Sequence, residues 1–167
     1  MKTKKITLTA LLTAIALILF VVEAQIPVLV PVPGVKLGLA NIVTVYAMFA
    51  LGPGPALLIL ICRVVLGSLL TGQMMGLLFS LGGGLLCYLS MLVVRRLVTA
   101  RQIWAASAVG AVFHNIGQIL VAIAVTGTSA LVFYLPILLI SGIVTGVFTG
   151  LAAQLVVNRL TPFPPDT

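Results

Sequence analysis

Long apolar runs follow one another through almost the whole chain, and this pattern constrains the fold more than any single motif. Of the 167 residues, 62% are hydrophobic and only 7% are charged, whereas a soluble domain carries about 25% charged residues. Nine basic and two acidic side chains cannot cover the surface of a water-soluble protein of this size. Lipid must therefore surround most of the molecule, and the sequence predicts an all-α integral membrane protein.

Glycine, proline and polar residues divide the apolar runs into about six predicted spans. Because one transmembrane helix needs about 20 apolar residues, six spans fill a single membrane domain over residues 1–167. The predicted spans are 6–22, 37–51, 56–70, 74–94, 104–125 and 131–157. The basic start and Val22-Glu23-Ala24 also resemble a signal peptide with its cleavage site. The length of the first run favours a span that is retained.

The net charge of +7 comes mainly from basic residues that lie between the apolar runs. Seven of them would face one side of a six-span bundle, namely Lys2, Lys4, Lys5, Arg95, Arg96, Arg101 and Arg159. Positive residues favour cytoplasmic loops, so we expect both termini in the cytoplasm and a bacterial-type cell membrane. Membrane topology and contact with anionic lipid headgroups explain the excess of positive charge, and no nucleic-acid partner is expected.

The motifs of familiar catalytic sites are missing from the sequence. It contains no paired carboxylates, no GxSxG and no P-loop. Cys62 and Cys87 lie inside apolar runs, where buried thiols usually pack as small hydrophobes. Prenyl-chain synthases hold magnesium and diphosphate with aspartate-rich motifs, which a chain with two acids cannot supply. We expect no catalytic residue, metal or cofactor in this chain.

Arg63 lies near the middle of the predicted third span. Its guanidinium stays protonated and needs an anionic or carbonyl partner, and ionisable groups at this depth usually face the bundle interior or a cavity. Glu23 is the one acid outside the C-terminal tail. The sequence leaves two interpretations open, a Glu23–Arg63 ion pair or a contact between Arg63 and an anionic group of a ligand.

The fifth span carries His114, Asn115 and Gln118. His114 and Gln118 are four residues apart and therefore share one helix face. The sequence does not decide between structural hydrogen bonds and contact with a ligand. A metal site is not expected, since no second histidine and no cysteine or aspartate partner accompanies His114.

A proline-rich loop over residues 23–36 joins the first two spans, and it could fold over the bundle. Polar side chains of the loop and of three spans would then meet in one outward-opening cavity. We expect this cavity to contain Glu23, Lys36, Asn41, Arg63, His114, Asn115 and Gln118. A polar, net positive cavity with aliphatic walls suits a small anionic or amphipathic molecule.

Small residues indicate where helices approach closely. Gly142, Gly146 and Gly150 form a small-xxx-small row on the sixth span, a pattern typical of helix contacts in lipid. Packing inside the bundle is the favoured interpretation, and a subunit interface is the alternative. Ala10 and Ala14 form a shorter row on the first span.

Four stretches of the sequence together carry a family resemblance: PGVKLGLANIVT at 33–44, RVVLGSLL at 63–70, FHNIGQ at 113–118, and YLP at 134–136 followed by GIVTG at 142–146. They resemble the Gx transporter family, which is also known as heptaprenyl diphosphate synthase component I. That family is similar to the substrate-binding S components of energy-coupling factor (ECF) transporters.

The resemblance implies a fold, a site and partners. S components have about six helices and an outer pocket partly covered by the first loop. An alanine row on their first helix contacts the transmembrane coupling subunit, so the resemblance implies this role for Ala10 and Ala14. ATP hydrolysis would then belong to partner ATPases. The other family name implies a membrane partner of a polyprenyl diphosphate synthase, and the sequence leaves both possibilities open.

Overall fold

The computed structural model describes residues 2–25, 38–72, 74–99 and 101–160. Six α-helices account for most of them: α1 (Lys2–Gln25), α2 (Leu39–Ala50), α3 (Pro53–Thr71), α4 (Met74–Val94), α5 (Ile103–Thr126) and α6 (Leu135–Leu160). A 3₁₀ turn over Ser129–Tyr134 precedes α6. The described ranges contain no strand, which confirms the all-α prediction.

Five of these helices are long and apolar enough to cross a membrane, so the predicted multi-pass bundle is confirmed. The exception is α2, which has 12 residues and at 1.5 Å per residue reaches only about 18 Å. Gly38 precedes it with φ 72° and Gly52 follows it with φ 100°. Glycine adopts these positive angles without the steric cost of a Cβ, and Pro53 then starts α3 in the helical position that proline favours.

Helix directions follow from contacts near the helix ends. Phe20 would meet a Cβ added at Gly67, and Lys5 lines one groove with Gly54, so α1 and α3 run parallel. The Tyr88 hydroxyl donates to the Pro53 carbonyl over 3.1 Å, which places the end of α4 beside the start of α3. The two helices are therefore antiparallel.

Glycines allow α4, α5 and α6 to pack closely. A Cβ at Gly117 of α5 would lie 2.7 Å from the Gly82 oxygen of α4. A Cβ at Gly146 of α6 would lie 2.7 Å from Ala111 Cβ, and one at Gly150 would lie 2.6 Å from Trp104 Cα. Gly142 likewise faces α5, and the whole glycine row of α6 therefore lies against α5.

The outward surface of the bundle is apolar. Ile18, Ile140, Phe148 and Leu155 are each more than 60% exposed, as expected where lipid replaces water. The alternating helix directions bring the described basic residues other than Arg63 to one end of the bundle. They are Lys2, Lys4 and Lys5 at the start of α1, Arg95, Arg96 and Arg101 around the α4–α5 turn, and Arg159 at the end of α6. The cytoplasmic location of both termini stays a prediction.

The glycine row of α6 gives a test of this packing. We expect Gly150→Ala to destabilise the bundle by about 1–3 kcal/mol. The added methyl group would clash with the backbone of α5, and the clash can be relieved only if α5 and α6 move apart. Thermal unfolding of the detergent-purified protein measures the change. Gly54→Ala is the matched control, since a Cβ at Gly54 meets nothing within 4 Å. Equal melting temperatures for the two variants would contradict the packing.

Candidate ligand-binding cavity

A cavity of about 60 Å³ lies inside the bundle, toward the end where α1 finishes and α2 begins. Each of the six helices contributes to its wall. The lining residues are Phe20, Glu23, Gly38, Asn41, Arg63, Val64, Ser80, Ala111, His114, Asn115, Gln118, Gly142 and Thr145. Six of the seven residues that the sequence predicts for one cavity are therefore brought together. The seventh, Lys36, lies outside the described residues.

Arg63 is the charged group most deeply placed in the cavity wall, with 5% of its surface exposed. Its Nη2 donates to Asn41 Oδ1 over 2.7 Å, which ties the middle of α3 to the first turn of α2. Its Nε has no hydrogen-bond partner among the described residues. A buried guanidinium held by a neutral amide keeps its need for an anion, because burial removes the water that would otherwise solvate the charge.

Glu23 is not hydrogen-bonded to Arg63, although its charge lies near enough to act on the guanidinium. Its Oε1 accepts a hydrogen bond from the backbone N–H of Gly38, while Arg63 donates to Asn41. The carboxylate thus connects the last turn of α1 with the start of α2. Glu23 and Arg63 line the same cavity, each bonded to a different neutral group.

Asn115 has a structural partner. Its Nδ2 donates to the Leu138 carbonyl of α6, so this amide joins α5 to α6 and also lines the cavity. This hydrogen bond lies near the start of α6, close to the point where Gly142 packs against α5. Asn115 therefore helps to hold α6 in place as part of the cavity wall.

Gln118 and His114 lie against a glycine of α4. A Cβ at Gly83 would lie 2.8 Å from Gln118 Cγ and 3.0 Å from His114 Cε1. Gln118 is 8% exposed, and its Oε1 has no hydrogen-bond partner in the described part of the chain. The Gly82-Gly83-Gly84 triplet thus makes room for the polar face of α5.

Sequence reasoning missed several lining residues. Ser80 and Thr145 are ordinary small polar residues in apolar helices, and nothing in their spacing separates them from packing positions. The Thr145 hydroxyl donates to the Ser141 carbonyl over 3.0 Å, so its own helix satisfies it. Gly83 is not a lining residue, but three glycines in one span were a usable signal for the close approach of α4 to α5.

Groups that could hold a metal are not found in the described ranges, where no three His, Cys, Asp or Glu side chains cluster. Cys87 lies 3.8 Å from the Met91 sulfur. Both side chains pack around Gly110.

A second, apolar space of about 640 Å³ lies on the outside of the bundle, between α1 and α3. Ala10, Leu58 and Leu66 line it, with Lys5 at one end. The hydroxyls of Thr9 and Thr13 donate to carbonyls of their own helix, so they add little polarity to the groove. Ala10 and Ala14 are both exposed.

Comparison with known families gives a match over most of the chain. The sequence model of the family described as heptaprenyl diphosphate synthase component I matches residues 12–156. The chain belongs to this family. The matched segment runs from α1 to α6 and includes the six described cavity residues predicted from the sequence. Searches among curated proteins and solved structures found no match. The family and the apolar helical bundle together identify a membrane component.

The Arg63–Asn41 bond gives a test of the cavity wall. We expect Asn41→Leu to cost about 1.5–3 kcal/mol, the range for a hydrogen bond to a charged group, because the buried guanidinium then loses its partner. Arg63→Met in the Asn41→Leu background should restore much of this loss, since the uncompensated charge is gone. Thermal unfolding of the two single variants and the double variant completes the cycle. Additive effects would show that the two side chains do not interact.

Proposed function

We propose that the protein is the substrate-binding membrane subunit, or S component, of an ECF-type transporter that takes up a small anionic or amphipathic molecule. The observation that carries the proposal is Arg63, a buried cation whose Nε points to no described acceptor and which lines a cavity among six helices. Intramembrane charges usually belong to substrate pathways or ligand sites. The resemblance of the motifs to S components supports the same function.

The chemistry of the cavity wall fits binding better than catalysis. Arg63 offers a permanent charge, Asn41, Asn115 and Gln118 offer amides, and His114 offers an imidazole. These groups can orient and neutralise an anionic group. The proposal assigns ATP hydrolysis to separate partner ATPases, and this chain then contributes recognition of the substrate.

The size of the cavity bears on how a substrate would enter. At about 60 Å³ it is smaller than typical ligand clefts of about 300–1,000 Å³. A bound molecule is therefore small, or its polar head alone enters this space, unless the helices move apart. The cavity lies beside the junction of α1 and α2, and the proposal has the substrate enter there.

The surface of α1 supports a partner in the membrane. Ala10 and Ala14 are exposed to lipid, and Ala10 lines the apolar groove between α1 and α3. Small residues let the backbone of another helix approach closely. We infer that this face meets the coupling subunit of the transporter.

Ligand binding can be tested on the purified protein. We expect native mass spectrometry to detect a co-purifying small molecule on the wild-type chain. Arg63→Ala and His114→Ala should each weaken its retention, with Arg63→Ala causing about a ten- to hundredfold loss, the range for one hydrogen bond to a charged group. Arg159→Ala, at the exposed end of α6, is the matched control. Unchanged occupancy in both cavity variants would mean that the ligand site is elsewhere.

The alternative function is a non-catalytic membrane component of heptaprenyl or polyprenyl diphosphate synthesis for quinones. The family description favours it, because that description names a component of a synthase. The apolar groove with Lys5 at one end also suits a membrane partner of a soluble enzyme.

Partner capture separates the two functions. If the chain is an S component, affinity purification from mild detergent should recover a membrane coupling subunit with ATPases. Ala10→Leu with Ala14→Leu should reduce this recovery, whereas Ala152→Leu, at a half-buried position on α6, should not. Recovery of a soluble prenyl synthase without ATPases, together with changed product length or activity of that synthase, would favour the alternative.

A further inference from the structure

Two opposite charges line the cavity, and neither is bonded to the other. Arg63 donates to the amide oxygen of Asn41, and Glu23 accepts from the backbone N–H of Gly38. The two groups lie on different helices, α3 and α1, with α2 starting between them. Both still belong to the wall of one space. Binding of a simple anion would use Arg63 and would not explain why a carboxylate lines the same cavity.

Each charge keeps bonding capacity that no described residue uses. Arg63 Nε, 95% buried with the rest of its side chain, donates to none of the described groups. An ionised carboxylate has about four acceptor positions, and Glu23 uses one of them on Gly38. In a membrane-embedded site with little water, such charges need a partner of opposite sign.

The amide of Gln118 adds a third group of the same kind. It lines the same cavity, is 8% exposed, and its Oε1 meets no described donor. An amide presents both donors and an acceptor, so it can bond either a carboxylate or an N–H group. The cavity therefore offers a cation, an anion and a neutral bridging group.

We propose that the ligand is dipolar: it carries an anionic group that pairs with Arg63 and a protonated amine, or an equivalent N–H donor, that pairs with Glu23. This inference rests on the proposed function and names its substrate class. A ligand with an anionic group alone would occupy Arg63, whose charge also acts on Glu23, and Glu23 would repel it. A ligand with a protonated amine alone would pair with Glu23 and be repelled by Arg63. A zwitterion satisfies both ends and adds no net charge to a buried site.

The size of the space agrees with a compact dipolar group. A volume of about 60 Å³ holds only a few atoms. The anionic group and the amine of the ligand must therefore be separated by a short chain. An α-amino acid or a phosphorylated short amine has this form. An apolar extension of such a molecule would have to lie outside the cavity, between helices.

Matched sets of small molecules test the inference. Each set contains a zwitterion, the acid without its amine, and the amine without its acid. Suitable sets are the twenty common amino acids with their deaminated and decarboxylated counterparts, and phosphoethanolamine with ethyl phosphate and ethylamine. Thermal shift of the purified wild-type protein identifies binders, and isothermal titration then gives their affinities. We expect at least one zwitterion to bind about ten- to a hundredfold more tightly than either of its single-charge counterparts.

The isosteric variant Glu23→Gln identifies the group responsible. Its amide oxygen can still accept from Gly38, so the junction of α1 and α2 is kept while the charge is lost. We expect it to weaken binding of the zwitterion about tenfold or more and to leave the deaminated acid unaffected or more tightly bound. Asp166→Asn, at the other acid of the chain, is the matched control. Arg63→Gln should weaken binding of both the zwitterion and the deaminated acid, and it should leave the decarboxylated amine unaffected or more tightly bound.

The outcomes separate this inference from the proposed function. Acids that bind through Arg63 as tightly as their zwitterions, or a Glu23→Gln variant with unchanged discrimination, would overturn the dipolar ligand and leave anion binding standing. If no member of the sets binds, the inference that the cavity takes a small dipolar ligand is overturned. Co-purified molecules that the Arg63→Ala and His114→Ala variants both retain as well as the wild type would place the ligand site elsewhere, and both proposals for this cavity would fail.

Discussion

A guanidinium that stays charged inside a membrane bundle is the constraint on which the rest of this structure depends. Lipid cannot solvate Arg63, so its side chain must lie where other polar groups can reach it. Asn41 supplies one bond, and the remaining polar groups of the cavity gather around the same region. The outer surface can then be almost wholly apolar. The division between a polar interior and an apolar exterior follows from the cost of burying one charge.

Close packing makes this interior possible. Lipid gives no hydrophobic driving force for helix association, so the helices depend on short backbone distances and on hydrogen bonds between them. Glycines of α4, α5 and α6 provide the distances, as at Gly83, Gly117 and Gly146. The bond from Asn115 to the Leu138 carbonyl provides a polar link. The same residues that hold the helices together therefore shape the space between them.

This arrangement also bears on the two functions that the family name and the motifs suggest. A synthase active site needs several carboxylates to hold metal and diphosphate, and this chain has two acids in total. Its described polar residues converge instead on a small cavity inside the bundle. Recognition of a small molecule uses such groups directly, whereas a role beside a synthase would use mainly the outer surface. The buried charges thus support the proposed binding of a small molecule.

The sequence by itself determined the membrane class, the helical bundle and most of the polar residues that meet inside it. The physical reason is that lipid allows few alternatives: apolar runs must be helical, and charged or amide side chains within them must turn inward. Only the tertiary structure decided that Arg63 bonds to Asn41, that Glu23 bonds to Gly38, and that the glycine triplet of α4 receives the polar face of α5. Such pairings depend on helix rotation and on the distance between backbones. Residues far apart in the chain set these quantities together, and no local pattern in the sequence encodes them.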